Sequence, residues 1–320
     1  MKNLLLTVCF FSLLQLNAQQ LTPVELKQFK IRQDSLKKFG YEIINGKDAA
    51  VRFRSDSTFT KILVRAIIQN KSFQFPFDSL TTISKIYSPD SSFRIFTWQV
   101  VKDDDYCRQK GFIQLRNPIS NQKFIPLRDY SEFTSADTDT IADNMAWIGA
   151  VYYRIILKEH LGKKYYTLLG YDENNTRSTK KWIDVLSFAE NGAPVFGLPA
   201  AFSYAKDSVA KPDLNRFLLE YKKDARARVQ YDEEMDMILF DHLISETNEP
   251  NKRYTYIPDG DYEGFQWKNG QWLHIDKVFD FKLKDGEAPV PDELNENKEK
   301  IKPAPKKPVA PIKKKSGGGV

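Results

Sequence analysis

At 320 residues, 41% of them hydrophobic and 28% charged, the chain carries enough apolar material for a substantial core and is no disordered polyampholyte. Its formal net charge of +6 is unevenly placed. Residues 298–320 hold eight Lys and one Glu, which leaves the body near −2 and without the basic face that nucleic-acid binding needs.

The first 18 residues, MKNLLLTVCFFSLLQLNA, join one Lys to a short apolar run and end on Asn-Ala before Gln19. This is the pattern of a secretory signal peptide, with cleavage expected between Ala18 and Gln19 and no transmembrane segment afterwards. The run is shorter than the roughly 20 apolar residues that a membrane anchor requires. A lipoprotein reading would use Cys9, but Val8 before it is not small and the region ahead is too short. The expected location is the periplasm or the extracellular space. Cys9 leaves with the signal, so Cys107 is the single remaining thiol and no internal disulfide can form. The acidic neighbours 103–105 argue that this thiol is unreactive.

Residues 19–70 read as a helical segment. Thr22-Pro23-Val24-Glu25 is a capping box with Pro at the first helical position. Leu26, Phe29, Gln33 and Leu36 follow at helical spacing, and Gly40 is expected to stop the helix. A second helix is expected over about 57–69, capped by Asp56 or Ser57, with Phe59, Ile62, Leu63, Ala66 and Ile67 on one face.

From residue 71 the pattern changes to period two. FQFPF at 73–77 reads as an edge strand, because Pro76 cannot donate to a ladder. A Ser-Pro-Asp turn at 88–90 separates two strands, the second containing Phe93, Ile95 and Thr97. Shorter strands are expected at 111–115 and 123–127, and the acidic stretch 128–144 marks a boundary between sub-structures. Beyond it, 147–157 and 164–171 flank a Gly-containing hairpin turn, followed by strands at 181–188, 193–196 and 217–221. Residues 226–281 are the clearest stretch: Ala227, Val229 and Tyr231 alternate with Arg226, Arg228 and Gln230, and Asn269-Gly270 sits between two aromatic segments as a hairpin turn. The predicted fold is mainly β, an antiparallel meander of hairpins over 71–283 forming a sandwich or barrel, alternatively propeller-like, with a small N-terminal helical layer.

Four stretches echo one another: SPDSSF at 88, GYDENN at 170, QYDEEM at 230 and IPDGDY at 257. In each an Asp is expected to close a turn through the backbone amides that follow it. The uneven spacing is not that of a clean repeat array. Residues 284–320 read as a disordered, Lys/Pro-rich tail. Such a tail can rest on anionic envelope polymers or lipid headgroups, or serve only as a solvated segment.

The Asn-Ala/Gln-Gln junction, FRIFTW, and the Tyr-Asp-Glu-Glu run leading into Ile-x-Phe-Asp-His-Leu together resemble a secreted, β-rich, uncharacterised family of Bacteroidota-type bacteria. That resemblance implies an extracytoplasmic compartment and no mechanism.

Signatures of catalysis are absent from the sequence: there is no nucleophile elbow, phosphate loop or dinucleotide fingerprint. His160, His242 and His274 lie too far apart in sequence for a local zinc pair. Asp241 and His242 are adjacent on a strand and point to opposite faces, so they cannot pair as in a triad. Oxygen donors crowd at Asp259, Asp261 and Glu263, a set that suits Ca²⁺ if it suits any metal; otherwise no cofactor is expected. Trp267 and Trp272, with Tyr262 nearby, are candidate stacking residues for a sugar or peptide, or else sheet packing. The expectation is a non-enzymatic envelope or interaction protein; the alternative is an extracytoplasmic hydrolase of glycans or peptides using Asp241, Asp259, Asp261 or Glu263.

Overall fold

Period-two alternation dominates the chain, and in three long central strands, Phe93–Asp103, Lys163–Asp172 and Ser178–Phe188, both sets of alternating side chains are buried. The structure is a computed structural model that describes residues 20–118, 124–134, 138–209 and 211–279. The predicted signal peptide at 1–18 and the predicted tail at 284–320 lie outside the described residues.

Two helices come first, α1 (Pro23–Asn45) and α2 (Ala49–Ile67). The capping box is formed: Glu25 N–H donates to Thr22 Oγ1 at 3.3 Å, and Thr22 N–H donates to Glu25 Oε2 at 2.7 Å. Gly40 does not end α1, which continues to Asn45. A Cβ at residue 40 would sit 2.6 Å from Thr82 Oγ1, so glycine is there for close approach and not as a stop. Likewise α2 starts eight residues before the expected start at 57. Its cap is Asp48, whose side chain accepts from Val51 N–H at 2.8 Å.

The strands follow as β1 (Ser84–Tyr87), β2 (Phe93–Asp103), β3 (Tyr106–Leu115), β4 (Phe124–Leu127), β5 (Val151–His160), β6 (Lys163–Asp172), β7 (Ser178–Phe188), β8 (Pro194–Phe196), β9 (Phe202–Ser203), β10 (Phe217–Lys222), β11 (Val229–Asp232), β12 (Met237–Ser245), β13 (Tyr256–Lys268) and β14 (Gln271–Ile275). They make three sheets, ordered β1-β2-β3-β4, then β10-β7-β6-β5 with β8 on β7, then β11-β12-β13-β14-β9. Every pairing is antiparallel except the short β14–β9 contact, which is parallel. Among the described residues no strand closes a barrel. The acidic stretch 128–144 is the link between the first and second sheets, with 135–137 outside the described residues.

The burial pattern stacks these elements as four layers. Phe96, Trp98 and Phe112 of the first sheet pack against Phe29, Leu36, Phe59 and Leu63 of the helices. Their alternates Phe93, Ile95 and Ile113 pack against Tyr152, Tyr166, Leu168 and Trp182 of the second sheet. The other face of that second sheet, with Leu169, Ile183, Val185 and Phe217, meets Ile238, Phe240, Phe265 and Trp272 of the third. Each such side chain contributes roughly 1.5–3 kcal/mol when fully buried. The sandwich expectation thus holds between successive sheets, in chain order.

The four echoed Asp residues do close backbone turns. Asp90, Asp172, Asp232 and Asp259 each accept from the N–H two residues ahead, at 3.2, 3.0, 3.0 and 3.1 Å. The first three end hairpins. The fourth lies inside β13 and bends that strand.

One expected strand is missing. FQFPF instead begins with a single 3-10 turn, Ser72–Gln74. Arg94 of β2 explains the difference. Its guanidinium donates to the carbonyls of Ser72 (2.8 Å) and Phe75 (2.7 Å), oxygens that a strand would offer to a neighbour. It also donates to Gln114 Oε1 (2.7 Å) and lies 4.8–5.4 Å from the rings of Phe73, Phe77, Tyr87 and Phe96. Arg94 is fully buried, and burial pulls its pKa down to about 10, so it stays charged in an aromatic box. Replacing Arg94 with Leu strands those acceptors and is expected to cost roughly 2–4 kcal/mol in urea unfolding. A loss under 1 kcal/mol would show that the box is dispensable.

Candidate functional site

The third sheet carries a connected group of ionisable side chains, and its register explains why. Ile238, Phe265 and His274 stand directly opposite one another across β12, β13 and β14, and Phe240 stands opposite Glu263. Side chains opposite one another share a face. His274 and Glu263 therefore point inward, beside the aromatic core and toward the second sheet.

Between Asp241 and Leu243 the pairing breaks. Asp241 stands opposite Tyr262 and Leu243 opposite Pro258, so the single residue His242 faces the three residues 259–261. Gly260, at φ +99°, makes this expansion possible. The bulge turns Asp259 toward His242, whose Nδ1 lies 2.8 Å from Asp259 Oδ2. Nε2 of the same ring is 3.6 Å from Glu263 Oε1. The other oxygen of Glu263 is 2.6 Å from His274 Nε2, and His274 Nδ1 is 2.8 Å from Asp207 Oδ1. Asp207 comes from the turn after β9 and also pairs with Lys211 at 3.3 Å. The result is a continuous chain, Asp259–His242–Glu263–His274–Asp207. It runs from a side chain that is 37% exposed, His242, to one fully enclosed, His274.

Electrostatics divides this chain. His274 faces a carboxylate with each nitrogen, and a neutral imidazole has only one N–H to donate. Burial lowers its pKa, but the hydrogen bonds and charges of Glu263 and Asp207 outweigh that and hold it above 6.5. At Asp259 burial works upward, and the N–H of Asp261 together with His242 overcomes it, leaving the carboxyl below its usual range. Tyr204 and Phe265, at 4.8 and 5.4 Å, fix the His274 ring between them.

The sequence-derived candidates are distributed as follows. Asp259 and Glu263 join the chain just described, whereas Asp261 is largely exposed and pairs with Lys277 at 3.5 Å. The three do not gather on one point. Among the described residues the group that does bring ligand atoms within 4.8 Å of one another is Asp207, His274 and Asp276. Trp272 is buried, and its indole N–H donates to Thr167 Oγ1 at 2.9 Å. Trp267 stacks edge-on against it at 5.3 Å, and Tyr262 is edge-on to Phe279. Asp241 does not pair with His242; its carboxylate accepts from Arg228 N–H at 2.7 Å. His160 lies against the Asn269-Gly270 turn, where a Cβ on Gly270 would be 2.7 Å from its ring.

Cys107 is inert for a different reason than its sequence neighbours suggested. Burial comes first, then Asp172, whose Oδ1 is 3.5 Å from the sulfur; together they push the thiol up to about 12. Sequence reasoning missed Asp207 and Asp276 altogether. The available signal was the alternation Trp272, His274, Asp276, which places an imidazole on a core-facing position where it must find partners. No family model, curated protein or solved structure matches the chain.

Because the folded pKa of His274 is raised, its stabilisation is complete below the unfolded value of 6.5 and is lost as pH climbs through the folded value. The urea midpoint is expected to fall as pH rises above 6.5, and His274→Gln to remove the slope. Separately, Cys107 should be alkylated roughly a thousandfold more slowly at pH 8 in the native protein than in denaturant. Equal rates would contradict its protected environment.

Proposed function

We propose that this is a non-enzymatic, exported interaction protein of the cell envelope, with a β body near neutral charge and a separate segment that holds it to polyanions. The observation that carries this reading is the separation of charge: eight Lys and one Glu fall within 298–320, while the rest of the chain after residue 18 is near −2. Each Lys near an anionic surface contributes about 1 kcal/mol at moderate salt, so such a segment suffices for reversible retention on anionic polymers or lipid headgroups. Among the described residues no helix is long and apolar enough to cross a membrane.

The body is consistent with a role other than catalysis. The carboxylates offered by the sequence are engaged with His242, His274, Lys277 and a backbone amide. One surface cleft away from these carboxylates, of about 480 Å³, lies beside Tyr106, Cys107 and Lys223.

A second reading, a hydrolase of glycans or peptides, draws on one specific feature. Asp259 orients His242 as the carboxylate of a catalytic dyad would, and the His242 side chain is 37% exposed. Hydrolysis of peptide or glycan polymers that disappears in His242→Ala would favour that reading over the first.

Deleting 298–320 is expected to abolish retention on an anionic polymer matrix and on vesicles rich in phosphatidylglycerol, and to leave the thermal transition of the body unchanged. Comparison of the two supports identifies the preferred polyanion. Retention that survives the deletion, or that does not weaken with added salt, would discard the proposal.

A further inference from the structure

We propose that Asp207, His274 and Asp276 bind one divalent transition cation of the zinc type, with Glu263 holding the imidazole in place from behind. This inference is independent of the basic segment. It concerns the far end of the molecule's third sheet, where the short parallel contact between β9 and β14 brings two distant parts of the chain together.

The donor set fits such an ion. One ring nitrogen and one oxygen from each carboxylate lie within 4.8 Å of one another. A tetrahedral zinc ion binds nitrogen and oxygen at about 2.0–2.2 Å and so spaces its ligands roughly 3.4 Å apart. The 2.8 Å contact of His274 Nδ1 with Asp207 would open slightly and the wider separations, up to 4.8 Å, would close. His274 and Asp276 are two residues apart on β14 and its continuation, and Asp207 approaches from the turn after β9, where its N–H is held by Tyr204 C=O at 2.9 Å. Three protein ligands leave a position open to water or to an oxygen of a bound molecule.

The surroundings match what a metal-bound histidine requires. Such a residue presents one nitrogen to the ion and donates its other N–H to a carboxylate, which fixes its tautomer and orientation. Here Glu263 Oε2 is 2.6 Å from Nε2, while Asp207 lies on the Nδ1 side at 2.8 and 3.0 Å. The ring is 1% exposed and confined by Tyr204 and Phe265, so it can approach an ion without losing rotamer freedom. Access comes through Asp276, which is exposed. Lys211 now balances Asp207 at 3.3 Å; its amine is half exposed and free to swing into water when an ion takes over that charge.

The imidazole also selects the ion. Ca²⁺ and Mg²⁺ take oxygen ligands, whereas Zn²⁺ accepts a mixed nitrogen and oxygen set. The atoms that come within 4.8 Å of one another thus include a ring nitrogen, unlike the oxygen-only set 259, 261 and 263 expected from sequence, and at this group zinc is favoured over calcium.

The test uses the full chain, freed of any affinity tag and stripped with a chelator. It is dialysed separately against ZnCl₂, MnCl₂, CaCl₂ and MgCl₂, with metal content read by mass spectrometry and affinity by calorimetry. The expected result is one zinc per chain and no comparable uptake of calcium or magnesium. Asp276→Asn, a surface change that leaves the core intact, should weaken zinc at least tenfold, and Glu263→Gln should weaken it by about tenfold. His160→Gln and Asp261→Asn should leave it unchanged. Absence of zinc uptake, undiminished affinity in Asp276→Asn, or calcium bound as tightly as zinc would each overturn the assignment.

Discussion

The second sheet has no wet face, and that constraint organises the molecule. Its strands must satisfy one apolar partner on each side: Trp182 and Leu186 of β7 face the first sheet, while Ile183 and Val185 face the third. An inserted or deleted residue in β7 would exchange the two sets and spoil two cores at once. Such a sheet specifies its register strongly, and the outer layers inherit that precision. The helices need only one apolar stripe because they cover a single remaining face of the first sheet.

Polar groups inside such a stack have to be paired within it. Asp184 sits between Ile183 and Val185, and burial raises its pKa against the pull of Arg216. Arg216 lies 3.5 Å from it and donates to the carbonyls of Thr140 and Phe196 at 3.0 Å, so it also anchors the link from the first sheet. Arg94 does related work on the other side of the first sheet, with carbonyls and ring faces in place of a carboxylate. Each cation holds an irregular segment where no ladder could. Removing one partner leaves a buried group unsatisfied, so these few contacts weigh more than the many exposed ion pairs.

Much of the architecture was legible in the sequence because alternation and turn chemistry are local. The strands from Val229 onward, the Asn269-Gly270 hairpin and the four Asp turns all follow from residues within a few positions of one another. The failures are non-local. Gly40 is internal to α1 because Thr82 approaches it, and 73–77 is not a strand because Arg94 takes its carbonyls. Alternation correctly separates Asp241 from His242, but the carboxylate that His242 does meet, Asp259, is 17 residues away across a bulge that no local pattern announces. Asp207 is 67 residues from His274, and nothing in either neighbourhood points to the other.

The parallel contact of β9 with β14 carries a consequence for the order of events as the chain is made. Asp207 emerges from the ribosome well before His274, and until β14 arrives it has only lysine and water for company. The imidazole–carboxylate contact can therefore form only once the chain has passed the hairpin at Asn269-Gly270 and reached His274. A chain clipped between β10 and that hairpin would still contain both helices and every strand of the first two sheets yet lack this closure. A protease acting on such shortened chains would find the 202–209 segment unpaired with β14 and held by its bonds to Leu214 and Asp213.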